Sequence, residues 1–94
     1  MVTALVFIRT ERHAVNSVAE TVAGLDGVSE VYSVTGDLDL VAIVRVRDLD
    51  DVSAVVTDRI ATVEGIATTE THIAFRTYSR HDLEAAFALG YDED

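Results

Sequence analysis

The sequence predicts a small α+β domain with the element order β-α-β-β-α-β and a short C-terminal helix. Apolar runs rich in β-branched residues alternate with segments whose valines recur every three or four positions. The two halves of the chain resemble each other, and 94 residues with 49% hydrophobic content are enough for one compact core. Together these observations predict one domain in which two crossover units share a sheet.

The first two elements are a strand and a helix. Residues 2–9 are rich in β-branched and aromatic side chains and lead into polar residues, as strands do. The apolar positions that follow are spaced by three and four, which predicts a helix over about 13–24 that stops near Gly24. These positions are Val15, Val18, Val22 and Leu25.

A hairpin and a second helix follow. Residues 28–35 and 38–46 are β-rich runs separated by Gly36-Asp37, which predicts a tight hairpin. Asp48 can cap the next helix because its carboxylate can accept a hydrogen bond from the first turn. The predicted buried stripe of that helix is Leu49, Val52, Val56, Ile60 and Val63.

The last predicted elements are a fourth strand over 66–77 and a short helix capped by Ser79. The two halves of the domain match at an offset of 38 residues. This repeat is expected of a ferredoxin-like sandwich with the strand order 4-1-3-2. The matching residues are Val18, Val22, Leu25, Gly27 and Val28 in the first half, and Val56, Ile60, Val63, Gly65 and Ile66 in the second.

Composition excludes several classes of function. Seventeen acidic residues against seven arginines give a net charge of −10, which would repel nucleic acid, so no direct contact with DNA or RNA is expected. Without cysteine, an export signal or a run of ~20 apolar residues, the chain is expected to be cytoplasmic and to have no membrane partner. His13, His72 and His81 lack the spacing of metal ligands, so no metal, cofactor or catalytic residue is assigned.

Two of the strands are apolar on both faces. Residues 4–8 read ALVFI and residues 40–44 read LVAIV, whereas helices can cover only one side of the sheet. The uncovered side would form a larger apolar patch than a monomer normally exposes. A second copy of the chain is therefore the expected cover, and the alternative is the C-terminal helix.

Several short motifs, in order and at matching spacing, carry a resemblance to a known family. They are Leu25-Asp26-Gly27-Val28, the run from Val31 to Leu40 (VYSVTGDLDL), and Val63-Glu64-Gly65-Ile66 followed by Thr69-Glu70-Thr71. Residues 1–79 resemble the effector-binding domain, or RAM domain, of the Lrp/AsnC transcription regulators. Full-length members also carry a helix-turn-helix domain, which has no counterpart before the first strand, so the resemblance implies a stand-alone sensing domain. Residues 80–94, a helix and an acidic tail, lie beyond it.

The resemblance implies an assembly as well. In that family two chains pack with their sheets facing one another, which gives a dimeric α/β barrel. Four or five such dimers then close into an octameric or decameric ring. It also implies an amino acid or similar small molecule as effector. Full-length Lrp/AsnC regulators are possible partners in mixed assemblies.

The hairpin is the candidate ligand site. An amino acid needs carboxylates or carbonyls for its ammonium and N–H or hydroxyl donors for its carboxylate. The hairpin offers both kinds of group, and the resemblance adds two threonines of the last strand. The predicted ligand-binding residues are Val34, Thr35, Gly36, Asp37, Asp39, Thr69 and Thr71.

In a sheet of order 4-1-3-2, the hairpin and the fourth strand are two strand spacings apart, roughly 10 Å. The ligand is therefore expected to lie between subunits. Three alternatives stay open: these residues serve only the turn, the chain is a purely structural assembly module, or it is a small dimeric barrel enzyme of the monooxygenase type.

Overall fold

The computed structural model describes residues 1–80, and the predicted order of elements is confirmed there. The C-terminal helix predicted after Ser79, and the acidic tail, lie outside the described residues. Among the helices that are described, none has both the length and the apolar character needed to cross a bilayer. The elements are β1 (Val2–Thr10), α1 (Val15–Ala23), β2 (Val28–Ser33), β3 (Leu40–Val46), α2 (Leu49–Ser53) and β4 (Ile66–Ala74), with a π-helical stretch (Ala54–Arg59) and a 3-10 turn (Ile60–Thr62) directly after α2.

The four strands form one antiparallel sheet in the order β2-β3-β1-β4, which confirms the predicted topology. The central strand β1 pairs with both β3 and β4, so that Val6 lies between Ala42 and Thr71. The hairpin loop and the start of β4 lie at the same end of the sheet. They flank the C-terminal end of β1 from opposite sides.

The hydrophobic core lies between the sheet and the helices. Three alternate residues in each of β1 and β3 are fully buried, and α1 adds Val18 and Val22 from the spacing that predicted it. No polar side chain is buried within residues 1–80. The core residues of the two central strands are Ala4, Val6, Ile8, Leu40, Ala42 and Val44.

The second helix differs from its prediction. Asp48 caps it as expected, since its Oδ1 accepts a hydrogen bond from the Asp51 N–H at 3.2 Å. The predicted stripe is wrong at Leu49, which is 61% exposed, and it omits Val55, which is fully buried, whereas Val56 is only partly buried against the core. The π-helical stretch explains the shift, because its wider turn brings residues five apart, Val55 and Ile60, onto the same side.

Candidate functional site: the hairpin loop and the open sheet face

The hairpin is wider than the predicted two-residue turn. β2 ends at Ser33, which pairs with Leu40, so the loop contains the six residues 34–39. The Val34 N–H donates to the Asp39 carbonyl at 3.1 Å, whereas the Asp39 N–H donates to the Ile8 carbonyl of β1 at 3.0 Å. Asp39 therefore belongs to the contact with β1, and the turn cannot be tight.

Asp39 fastens the loop to the end of β1. Its Oδ2 accepts hydrogen bonds from the Thr10 N–H at 2.9 Å and from the Thr10 hydroxyl at 3.4 Å. The second carboxylate of the motif, Asp37, is exposed, and no hydrogen bond or ion pair joins its side chain to another residue of the described range. The two aspartates thus differ: Asp39 positions the loop, and Asp37 faces solvent.

The tip of the loop is open to an incoming molecule. Val34, Thr35 and Gly36 are exposed, and a Cβ on Gly36 would have no heavy atom within 4 Å. Gly36 has a φ of +102°, a backbone conformation that side-chain-bearing residues rarely adopt. The loop therefore presents backbone, a hydroxyl and a carboxylate without steric cover.

The two threonines lie elsewhere on the sheet. Thr69 and Thr71 of β4 are opposite Ile8 and Val6, so both point to the helix side, and they share a face as their alternation predicted. Thr69 is exposed and Thr71 is half-buried at this edge of the sheet, in contrast to the fully buried residues opposite them. Because β1 separates β4 from β3, roughly 10 Å lies between the two strands, and one chain does not bring the threonines to the hairpin.

The side of the sheet opposite the helices has an apolar centre, which we call the open sheet face. It consists of Leu5, Phe7, Val41 and Ile43, which alternate with the buried core residues and are only half-buried. This pattern confirms that both central strands are apolar on both sides. Within residues 1–80, no helix covers this face.

Polar clusters border the open sheet face. On the β2 side, the Glu30 carboxylate accepts a hydrogen bond from the Tyr32 hydroxyl and pairs with Arg45 Nη1 at 3.1 Å. The hydrogen bond from Tyr32 is the main reason why the pKa of Glu30 lies below its usual value, and the bond from Arg45 adds to the effect. The bond between Tyr32 and Glu30 also raises the pKa of Tyr32. Glu30 therefore stays ionised at neutral pH, and the Tyr32 hydroxyl keeps its proton.

On the β4 side, His72 Nε2 lies 2.8 Å from Glu70 Oε2, and the His72 ring meets the Phe7 ring edge-on at 5.0 Å between centroids. Sequence reasoning did not find either polar cluster as part of a site. The signal was available in the strand alternation, because Glu30, Arg45, Glu70 and His72 all face the same side of the sheet in the observed register.

Replacing Asp39 by alanine should loosen the hairpin loop without unfolding the sheet. The variant loses both bonds to Thr10, and we expect the free energy of unfolding to fall by about 1–2 kcal/mol. Urea denaturation at fixed chain concentration measures the loss. Asp37→Ala is the matched control and should change stability by less than ~0.5 kcal/mol; equal losses in the two variants would refute the anchoring role of Asp39.

Comparison with known proteins identifies the family of this chain. The family described as Lrp/AsnC ligand binding domain matches residues 3–83. The uncharacterized HTH-type transcriptional regulator YugG of Bacillus subtilis is 31% identical over 78 residues, which are 83% of this chain and 46% of that protein. The chain spans about half the length, or less, of the curated relatives it matches.

Solved structures agree with this match. The crystal structure of TTHA0845 from Thermus thermophilus is 49% identical with a TM-score of 0.80, covering 85% of this chain and 100% of that one. E. coli AsnC is 26% identical with a TM-score of 0.77, covering 83% of this chain and 53% of that one. The chain therefore belongs to the Lrp/AsnC ligand-binding domain family.

Proposed function

We propose that this chain is a non-catalytic sensor that binds an amino acid or similar small molecule where copies of the chain meet. The observation that carries the proposal is the separation of the hairpin from Thr69 and Thr71 by strand β1, in a domain whose family is a ligand-binding one. One amino-acid backbone cannot bridge roughly 10 Å, so the hairpin of one copy and the threonines of another converge on it.

The exposed groups of the loop suit an amino acid. Asp37 offers a carboxylate to the ammonium, while Thr35 and the backbone around Gly36 offer donors to the carboxylate. Asp39 contributes by holding the loop on β1, and its second oxygen remains as an acceptor. Val34, the first residue of the loop and 38% exposed, supplies an apolar contact.

The assembly follows from the open sheet face. Two copies pack their apolar centres together to form a dimeric barrel, and four or five dimers form an octamer or decamer around the hairpins. Binding between dimers links ligand to assembly, since a ligand favours the oligomer that contains its site. With a net charge of −10, the chain acts on transcription through protein partners, including full-length regulators of its family, rather than through DNA contacts.

Calorimetric titration with the twenty amino acids, combined with light scattering, tests the proposal. At least one amino acid should release or absorb heat and shift the mass toward the larger assembly. If none of the twenty gives heat or changes the mass, the sensor function is excluded for amino acids.

Asp37→Asn should weaken binding of the amino acid that the wild-type chain binds by at least about tenfold, because a charge-assisted bond to the ammonium becomes a neutral one. Asp50→Asn removes the same charge from an exposed position of α2 and serves as the matched control. Calorimetry of both variants measures the difference. Unchanged affinity in Asp37→Asn would remove Asp37 from the site.

A structural assembly module is the second candidate, and the bonding of Asp39 favours it, because that carboxylate already has an internal partner. The module and the sensor differ in their response to mutation at the proposed site. If neither Asp39→Asn, nor Thr71→Val, nor any amino acid alters the assembly, the module function holds.

A further inference from the structure

A second concave surface lies on the helix side of the sheet. This cleft of about 580 Å³, which we call the helix cleft, runs between α1 and the helical residues that precede β4. Its walls include Ser17 and Thr21 of α1, and Asp58 and Arg59 of the π-helical stretch. The hairpin and the open sheet face contribute nothing to it.

The helix cleft has charged groups at both ends. Arg59 Nη1 donates to the Asp26 carbonyl at 2.9 Å, just after α1 ends. At the other end, a Cβ on Gly65 would lie 2.9 Å from the Val18 side chain, near the start of α1. The two helical segments are therefore antiparallel, with Asp58 and Arg59 at one end of the cleft and Glu64 at the other.

These charges have no ionic partners of their own. Within residues 1–80 Glu30 pairs with Arg45 and Glu70 contacts His72, so the carboxylates of Asp58 and Glu64 have no cationic partner in that range. Arg59 uses one N–H on a carbonyl and keeps its other donors. Asp58 and Arg59 are consecutive residues that both line the cleft, so they offer a carboxylate to an ammonium and a guanidinium to a carboxylate, and Glu64 offers a second carboxylate to another cation.

The positions of the charges and the lining set the shape of the ligand. Glu64 follows Arg59 by five residues and lies beyond the 3-10 turn, next to Gly65 at the other end of the cleft. Leu25 and Val63, both half-buried, also line the cleft and offer apolar contact. Two negative charges against one positive favour a ligand with a net positive charge.

The backbone of this wall is also unusual. Asp58 and Arg59 belong to the π-helical stretch, and π-helical turns occur frequently at functional sites. The cleft and the open sheet face lie on opposite sides of the sheet. Packing of two copies through the open sheet face therefore leaves the helix cleft accessible.

We propose that the helix cleft binds a linear diamino carboxylic acid. The ligand carboxylate lies on Arg59 and its α-ammonium on Asp58, while its aliphatic chain covers Leu25 and Val63. The terminal ammonium lies on Glu64. This site is separate from the effector site proposed at the hairpin.

Calorimetry with L-lysine and L-norleucine tests the proposal, because norleucine keeps the head and the chain but lacks the second ammonium. Lysine should bind the wild-type chain, and norleucine should bind the cleft at least tenfold more weakly. Glu64→Gln should weaken lysine binding at least tenfold, and Asp58→Asn should do the same. Glu20→Gln, an equal change of charge on α1 at a residue that does not line the cleft, should leave lysine binding unchanged.

Asp37→Asn separates the two sites. Lysine binding that survives Asp37→Asn but is lost in Glu64→Gln supports the helix cleft, whatever happens at the hairpin. No lysine heat in the wild-type chain, or lysine heat that depends on Asp37 and not on Glu64, overturns the proposal. The second of these results would leave the hairpin sensor intact.

Discussion

Replacing Ile43 by aspartate is expected to convert the proposed dimer into monomers. Ile43 lies in the apolar centre of the open sheet face, and in a two-fold contact each dimer would bury two unpaired carboxylates. Each such charge costs several kcal/mol, so the dissociation constant should rise at least about a thousandfold. Sedimentation equilibrium at micromolar concentration measures it.

The fold of the Ile43→Asp variant should survive, because this side chain points away from the helices and the core. Circular dichroism checks that point. Thr57→Asp adds the same charge at an exposed helical position and should retain the wild-type mass. A folded Ile43→Asp chain with the wild-type mass would show that the open sheet face is not the interface.

Gly27→Ala is expected to cause a large loss of stability. Gly27 has a φ of +93°, and an added Cβ would lie 2.5 Å from Val55 Cγ2 and 3.3 Å from Val46 Cγ1. Backbone strain of about 1–2 kcal/mol and overpacking of about 1–3 kcal/mol should together lower the free energy of unfolding by roughly 2–5 kcal/mol. Urea denaturation at fixed chain concentration gives the value.

Gly36→Ala is the matched control for Gly27→Ala. Gly36 has a similar φ of +102°, but an added Cβ would meet nothing within 4 Å. Gly36→Ala should therefore lower the free energy of unfolding only by the cost of backbone strain, about 1–2 kcal/mol. Equal losses at the two glycines would mean that the contact with Val55 relaxes freely and that packing around Gly27 is not tight.

Local patterns predicted most of this fold. The valines of α1 recur at a spacing that only a helix brings to one side, and Val18 and Val22 are fully buried as a result. The 38-residue repeat predicted two crossover units, and the sheet order follows from packing both on the same side. These features follow from local spacing and from the repeat, both of which can be read directly in the sequence.

The features that were missed depend on contacts distant in sequence or on an irregular helical turn. The six-residue hairpin loop exists because Asp39 binds Thr10, 29 residues earlier, and no turn propensity encodes that bond. The shift from Val56 to Val55 arises because the π-helical turn fits Val55 and Ile60 into one core. A pattern of apolar residues three and four apart predicts an α-helix, and it does not predict that residues five apart lie on the same side.

The candidate site was only partly accessible to sequence reasoning. The residue types of the hairpin predicted a polar, open loop, but they did not separate the roles of Asp37 and Asp39, since both flank Leu38. The threonines lie across β1 from the hairpin, so a site that unites them requires another copy of the chain. One sequence describes one copy, and the contact between copies has to be measured.

The native mass of the unmodified chain tests the central claim most directly. Light scattering at micromolar concentration should give at least twice the 10.2 kDa of one chain, because we propose that a second copy covers the apolar centre formed by Leu5, Phe7, Val41 and Ile43. A folded chain with a mass of 10.2 kDa under these conditions would contradict it.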